Sequence, residues 1–198
     1  MPLADGYADL PPGKLANVVT CLEMRHLASP RTEYDVDGMA IERFVEPDAE
    51  RYRALVRRVG ESSLWQSPLL ITDEQFANLI RDPDVEYYVF RAGGCDEGIL
   101  QLDFRRSGEC ELGLFGVTEL LRGTGAARKL MNFAIARAWS RPIERLWLHT
   151  CTLDHPNALP FYIRSGFVPY KRQIEIHDDP RLIGLYPRTA AQNVPLIG

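Results

Sequence analysis

The sequence lacks the features that mark disulfide-stabilised, secreted or membrane-spanning proteins. Its four cysteines, Cys21, Cys95, Cys110 and Cys151, include no C-x-x-C pair, and a chain of this length can build a core without disulfides. No apolar run approaches the roughly 18 residues that span a bilayer, and residues 1–14 lack the basic and apolar regions of a signal peptide. We therefore expect a cytoplasmic protein with reduced thiols and no membrane association.

An excess of positive charge is also missing. The 198 residues include 23 Lys and Arg against 27 Asp and Glu, a formal net charge of −4, which argues against nucleic acid as a partner held by bulk charge. Hydrophobic residues make up 45% of the chain and charged residues 25%, which is typical of a globular protein. The mild acidity is compatible with a cationic small-molecule partner.

Hydrophobic patterning predicts strands and helices in the order β-β-α-α-β-β-β-α-β-α-β. The first strand is predicted over residues 15–24 and the second over 39–45, with a polar loop over 28–38 between them. Three strands between residues 85 and 117 are separated by hairpin turns, which predicts an antiparallel meander. This order predicts a mixed α/β (α+β) fold, with a mostly antiparallel central sheet and helices on both faces.

Two glycines stand at the start of a predicted helix, in the stretch RGTGAARK. Gly123 and Gly125 follow a strand and a short turn, where backbone N–H groups are free and the helix dipole is positive. Glycine lets the backbone approach an anion closely, and Arg122, Arg128 and Lys129 add positive charge. The stretch therefore predicts a phosphate or pyrophosphate site.

The two commonest nucleotide-binding loops do not fit this stretch. A P-loop requires G-x-x-x-x-G-K-[ST], and the sequence contains no such run. A dinucleotide loop requires G-x-G-x-x-G, but Arg128 occupies the position of the third small residue. The preceding strands also form a predicted meander and not a βαβ unit, so both interpretations are rejected.

The run Arg122–Ala127 instead matches the pattern [Q/R]-x-x-G-x-[G/A] of the GNAT superfamily of N-acetyltransferases, which it resembles in its strand–loop–helix setting as well. A second stretch, NALPFYIRSGF at residues 157–167, resembles the family's other cofactor segment. The resemblance covers about residues 39–176 and implies acetyl-coenzyme A (acetyl-CoA) as the co-substrate. The residues that it assigns to cofactor binding are Phe115, Gly116, Val117, Arg122, Gly123, Thr124, Gly125, Ala126, Ala127, Arg128 and His155.

The resemblance also implies roles for these residues. Backbone amides from Gly123 through Arg128 hold the pyrophosphate, and the strand end at Phe115–Val117 pairs with the pantetheine arm, where an N–H group stabilises an oxyanion. Tyr162 stands where many relatives keep a tyrosine that protonates the departing thiolate, although a tyrosine beside Phe161 also suits a core position. His155 departs from the family's asparagine and can supply a polar contact in its place.

An attacking amine must be neutral, so a general base is expected near the thioester. Glu111 is the first candidate, because histone-acetylating relatives carry a base glutamate at this place, but a solvated strand carboxylate explains it equally well. Asp103 and His149 are alternatives, and His149 also suits a hydrogen-bonded interior group. Trp65 lies where relatives wall the acceptor pocket, so it either stacks on a substrate or packs as an ordinary core residue.

A metal site is not expected, because His149, Cys151 and His155 have no fourth ligand at a usable spacing. We divide the chain into an N-terminal extension with one extra strand (1–36), an acetyltransferase domain (37–176) and a tail packed on the same domain (177–198).

The function that this predicts is direct acetyl transfer, in a ternary complex, to a primary amine of a small molecule or peptide. The alternatives are acyl transfer to a hydroxyl group and a non-catalytic acyl-CoA-binding or protein-interaction module. In the module, the extra strand would contact a partner or a second copy in a homodimer.

Overall fold

The computed structural model describes residues 5–33 and 38–198. The predicted loop over 28–38 lies partly outside these ranges, and the predicted boundary between residues 36 and 37 lies wholly outside them. The elements are β1 (Lys14–Met24), β2 (Met39–Arg43), α1 (Ala49–Gly60), α2 (Ser67–Leu70), α3 (Asp73–Arg81), β3 (Val85–Ala92), β4 (Cys95–Asp103), β5 (Glu109–Val117), α4 (Ala126–Trp139), β6 (Arg145–Cys151), α5 (Ala158–Arg164) and β7 (Val168–Asp178). The predicted order is confirmed, with the single turn α2 as an unpredicted addition.

The seven strands form one sheet in the order β2-β3-β4-β5-β6-β1-β7. Every neighbouring pair is antiparallel except β5 and β6, which confirms the mostly antiparallel sheet. The parallel pairing of β5 and β6 covers only residues 109–111 and 145–147. Beyond these residues the two strands diverge and leave a gap at their carboxyl ends.

Strand β1 lies inside the sheet, between β6 and β7. Its residue Val19 pairs with Cys151 on one side, and Asn17 pairs with Glu175 on the other. Residues 19–23 of β1 are therefore bonded on both backbone edges within the chain, which leaves no free edge there for a partner. A homodimer stays a prediction, without support from the strand that suggested it.

A hydrophobic core lies on each face of the sheet, which confirms helices on both faces. On one face, α4 buries Leu130, Met131 and Ala134 completely, as its apolar spacing predicts. On the other face, α1 and α3 meet where Tyr52 stacks on Phe76 at a ring-centroid distance of 4.2 Å. None of the helices in the described ranges is long and apolar enough to cross a membrane.

Local chemistry sets the helix starts near the site. The hydroxyl of Thr72 accepts from the N–H of Gln75 at 3.1 Å, and the Gln75 side chain accepts from the N–H of Thr72 at 2.8 Å. These two reciprocal bonds form a capping box at the start of α3. The side chain of Asp48 caps α1 by accepting from the N–H of Arg51 at 2.9 Å.

Residues 179–198 follow β7 as a series of turns packed against the α1–α3 side of the molecule. Arg181 holds this tail from within, because its guanidinium pairs with Asp179 and donates to the carbonyl groups of Ala190 and Val194. Both side chains of the pair are 2% exposed. The tail thereby becomes a fixed neighbour of the connection between α1 and α2.

Candidate active site

A cleft of about 680 Å³ opens where β5 and β6 diverge. Its walls come from the α1–α2 connection, the ends of β5 and β6, the start of α4, and α5. Residues of β1 and β7 line it as well. The divergence of the two strands therefore brings residues from both ends of the chain to one cavity.

The loop before α4 presents unpaired backbone donors. Gly123 and Gly125 have φ angles of +79° and +94°, a left-handed conformation that side chains disfavour. The N–H groups of Gly123, Gly125, Ala127 and Arg128 donate to no acceptor within the described residues. A Cβ on Gly123 would meet nothing within 4 Å, so the approach to the loop is open. Four free donors at a helix start fit a pyrophosphate group.

Two of the predicted loop residues shape the loop itself. The hydroxyl of Thr124 donates to the carbonyl of Leu121 at 2.8 Å and accepts from the N–H of Ala126 at 3.3 Å. Neither residue lines the cleft. Their role is to hold the turn that exposes the neighbouring N–H groups.

The arginine side chains Arg122 and Arg128 of the loop interact with neighbouring side chains. Arg122 lines the cleft and pairs with Glu119 at 2.8 Å. Arg128 donates to the Ser165 hydroxyl at 2.9 Å, and its guanidinium lies 4.5 Å from the ring centroid of Phe161. Arg128 therefore joins α4 to α5, the two segments predicted to bind the cofactor.

The end of β5 borders the gap, and Phe115, Gly116 and Val117 all line the cleft. The N–H of Thr118 donates to the Glu97 carbonyl in β4. Because successive N–H groups of a strand point to opposite edges, the Val117 N–H points toward the gap.

Gly116 is surrounded closely by its neighbours. An added Cβ would lie 2.6 Å from Val59 and 3.1 Å from Trp65, so no side chain fits there. Because Gly116 has no side chain, Trp65 can lie close to β5. This close approach narrows the cleft.

Trp65 lines the cleft at the gap between β5 and β6. Its indole Nε1 donates to Asp154 at 3.2 Å, and Tyr186 of the tail donates to the Trp65 carbonyl at 2.8 Å. Asp154 in turn accepts from the Thr150 hydroxyl at 2.7 Å and from the Cys151 N–H at 3.0 Å. Trp65, for which the sequence left substrate stacking and ordinary packing both open, is thus a fixed part of the cleft wall.

Tyr162 lies on α5 and lines the cleft. Its ring makes edge contacts with Phe115, Phe161 and Phe167, and its hydroxyl bonds to nothing within the described residues. Burial, reinforced by the charge of Asp154, raises the pKa of Tyr162 well above its ordinary value. The hydroxyl therefore keeps its proton at neutral pH, and no acceptor for it lies within the described residues.

Glu111 does not line the cleft. It lies in a neighbouring pocket of about 260 Å³, and its carboxylate is 3.9 Å from Nδ1 of His149, which does line the cleft. Burial raises the pKa of Glu111, while a charged His149 would lower it. The first candidate base, Glu111, and one of its alternatives, His149, therefore lie next to each other.

The other alternative base, Asp103, is engaged elsewhere. Its carboxylate accepts two hydrogen bonds from Nε of Arg105 at 3.0 Å. Burial alone would raise the pKa of Asp103, but the bonds from Arg105 hold it below its ordinary value. A carboxylate stabilised in this way is a weak base.

A model of the acetyltransferase (GNAT) family matches residues 49–167, the span that contains the loop, Tyr162 and most of the residues that line the cleft. The chain belongs to the GNAT family of acetyltransferases. No curated protein sequence matches it significantly.

Solved structures of other proteins share this fold over most of the chain. A GCN5-related N-acetyltransferase from Sphaerobacter thermophilus has a TM-score of 0.62 at 18% identity and covers 85% of this chain. A functionally unknown conserved protein from Staphylococcus epidermidis ATCC 12228 has a TM-score of 0.58 at 15% identity and covers 84%. This chain spans only 52% of the first protein and 63% of the second.

A third structure carries an aminoglycoside. It is an aminoglycoside acetyltransferase from an uncultured soil metagenomic sample, solved in complex with sisomicin. Its TM-score is 0.54 at 16% identity, and the match covers 65% of this chain and 88% of that one. At such identities the likeness concerns the GNAT fold alone.

His155 also lines the cleft of this GNAT chain, and its Nδ1 accepts from the N–H of Asn157 at 3.1 Å. Its contact with a cofactor stays a prediction. Within residues 5–33 and 38–198, no group of three or more His, Cys, Asp or Glu side chains is arranged to hold a metal ion.

Several polar residues of the GNAT cleft escaped the sequence analysis. They include Asp154, Asn17, Glu175 and His177. Strand alternation places Asn17 on one face with Val19 and Cys21, but that signal does not say which strands flank it. Asp154 stands directly before His155, which the sequence analysis did select, but an aspartate after a strand is as typical of a turn as of a site.

Proposed function

We propose that this GNAT protein transfers an acetyl group from acetyl-CoA to a primary amine, by direct transfer in a ternary complex. The observation that carries the proposal is the set of four unpaired N–H groups at the start of α4, beside the cleft between β5 and β6. Acetyl-CoA, when bound, supplies the acetyl group as an activated thioester. Gly123 to Arg128 would hold its pyrophosphate, and Val117 would offer an N–H group to the arm or to a developing oxyanion.

Proton removal is assigned to Glu111 and His149 together. His149 lines the cleft and takes the amine proton at Nε2, while its Nδ1 faces the Glu111 carboxylate. The negative charge of Glu111 stabilises the protonated imidazole. On the other side of the reaction, Tyr162 holds the proton that the departing thiolate needs.

A covalent route through cysteine is disfavoured. Cys151 lines the cleft, but burial and the charge of Asp154 raise its pKa to about 11. A thiol that stays protonated near neutral pH is a poor nucleophile. Direct attack by the amine therefore suits this site better.

Replacing Gly123 with alanine tests the cofactor half of the proposal. The added Cβ would stand where an anion approaches the loop, so we expect the affinity for acetyl-CoA, measured by calorimetric titration, to fall by roughly 10- to 100-fold. Gly108→Ala is the matched control. Gly108 has a similar φ of +73° and equally open surroundings, but it lies in the β4–β5 turn away from the cleft.

The two variants should lose similar stability, because each places a side chain at positive φ. Equal affinities for acetyl-CoA in Gly123→Ala, Gly108→Ala and the wild type would overturn the proposed pyrophosphate site. Binding without thiol release for any amine would instead favour the non-catalytic alternative.

Replacing Glu111 with glutamine tests the base. Because burial raises the pKa of Glu111 above the ordinary value of 4.5, its proton-accepting fraction grows as pH rises through that higher pKa. The ratio of wild-type to Glu111→Gln kcat/KM should therefore be near one in acid and reach about 10- to 100-fold above that pKa. Protonation of the amine affects both proteins equally and cancels in the ratio.

The stability of Glu111→Gln separates chemistry from misfolding. A raised carboxyl pKa means that the stability contributed by Glu111 is present in acid and is lost as pH rises through the folded pKa. The neutral side chain should therefore make the protein no less stable near pH 7. A kcat/KM ratio that stays constant with pH would exclude Glu111 as the base.

A further inference from the structure

The end of the cleft formed by β1 and β7 carries a cluster that the proposed reaction does not use. Asn17 of β1 and Glu175 and His177 of β7 line the cleft together, because β1 pairs with β7 at Asn17–Glu175 and at Leu15–His177. Resting on the proposed function, we propose that this cluster binds a second cationic group of the acceptor. The acceptor is then a small amine with two ammonium groups, of which one is acetylated.

Hydrogen bonds fix the orientation of the Asn17 amide. His177 donates from Nδ1 to the carbonyl of Asp178 at 2.8 Å, which leaves Nε2 as an acceptor. The Asn17 amide nitrogen faces this Nε2 at 3.3 Å and a Glu175 carboxylate oxygen at 3.1 Å. Both Asn17 N–H bonds are thus used, and its oxygen must point the other way.

That oxygen has no donor. Asn17 is 3% exposed, and its Oδ1 is buried without a hydrogen-bond partner among the described residues. Burying an amide oxygen unpaired is costly. An ammonium group held against Glu175 would bring a strong donor next to this amide, which lacks one.

The charges of the cleft favour a cation at this end. Arg122, at the opposite end, is paired with Glu119. Asp154 and Glu175 both line the cleft, and neither forms an ion pair with Lys or Arg within the described ranges. Asp154 is satisfied by its three donors, whereas Glu175 has only the Asn17 amide. Glu175 is therefore the carboxylate that lacks a counter-ion.

A second ammonium group follows from the chemistry of transfer. The attacking nitrogen must lose its proton, so it cannot remain the cation that Glu175 binds. A separate charged nitrogen can stay at Glu175 throughout the reaction and orient the first one. His177 acts as a positioning residue, because it sets the orientation of Asn17 and touches no substrate in this arrangement.

The test compares Glu175→Gln with the wild type on short α,ω-diamines, each paired with the n-alkylamine of the same chain length. A charge-assisted hydrogen bond corresponds to roughly 10- to 100-fold in affinity. We therefore expect kcat/KM for the diamines to fall at least about tenfold and that for the alkylamines to change less than about twofold. Asp178→Asn is the matched control. It removes the same charge from the same strand, but this exposed side chain pairs with Lys14 outside the cleft.

Equilibrium binding of the same diamines, measured by calorimetry with and without bound coenzyme A, gives a readout independent of turnover. We expect Glu175→Gln to weaken diamine binding by the same factor. Equal losses for diamines and alkylamines, unchanged diamine binding in Glu175→Gln, or no diamine binding by the wild type would each overturn the anchor. Absence of coenzyme A binding and thiol release would overturn the proposed function instead, and the diamine titration would still decide the anchor.

Discussion

The Tyr162→Phe variant should lose about 100- to 1000-fold in kcat while its affinity for acetyl-CoA stays within about twofold of wild type. The change removes one hydroxyl from a ring that packs against Phe115, Phe161 and Phe167. The packing survives, because phenylalanine fills the same space. What disappears is the proton that the unpaired hydroxyl holds, since burial keeps the pKa of Tyr162 above its ordinary range.

Single-turnover measurement of thiol release gives the rate of the transfer step itself, and calorimetric titration gives the affinity. Tyr52→Phe is the control for loss of a buried hydroxyl, because Tyr52 is buried on the other face of the sheet. It should leave kcat unchanged. A Tyr162→Phe enzyme with wild-type kcat would remove this residue from the mechanism.

Replacing Arg181 with methionine should lower the free energy of unfolding by about 3–5 kcal/mol, because it leaves the Asp179 carboxylate buried without its partner. Arg181 also donates to the carbonyl groups of Ala190 and Val194, so the tail loses its internal support. Denaturation in urea measures the loss. Lys14→Met breaks the exposed Lys14–Asp178 pair and should cost less than about 1 kcal/mol.

The pH dependence identifies the cause of that loss. Burial alone would raise the pKa of Asp179, but hydrogen bonds from Arg181 lower it below the ordinary 3.8. A lowered carboxyl pKa stabilises the fold above the unfolded pKa, and the contribution disappears as pH falls through the folded pKa. The difference between the wild type and Arg181→Met should therefore shrink in acid. A difference that is constant down to that range would exclude the ion pair as its source.

Most of the helices and strands that could be predicted from the sequence depend on residues that lie close together in the chain. The α3 start follows from Thr72 and Gln75, which lie within one helical turn of each other. The meander follows from short turns such as Gly93–Gly94, because a hairpin joins strands that are neighbours in the chain. The position of β1 did not follow, because its partners in β6 and β7 lie more than a hundred residues away and alternation cannot identify them.

The residues of the candidate site also differ in whether neighbouring sequence predicts them. The loop at Gly123 and Gly125 was predictable, because its anion-binding chemistry resides in a few consecutive residues. The Glu111–His149 pair was not, because it depends on how two strands are aligned. Asp154 stands beside the predicted residue His155, but its bonds to Trp65 and Thr150, like the surroundings of Asn17, come from the fold and not from neighbouring residues in the sequence.

The place of β1 has a consequence for how the chain is made. During synthesis residues 14–24 emerge early, but the bond from Asn17 to Glu175 spans 158 positions. The sheet cannot close until almost all of these residues have left the ribosome. Until then β1 has at least one open edge, the kind of surface that binds chaperones or other nascent chains. Contacts this distant also slow folding, so the cleft takes its final shape late, after synthesis of the strand that completes it.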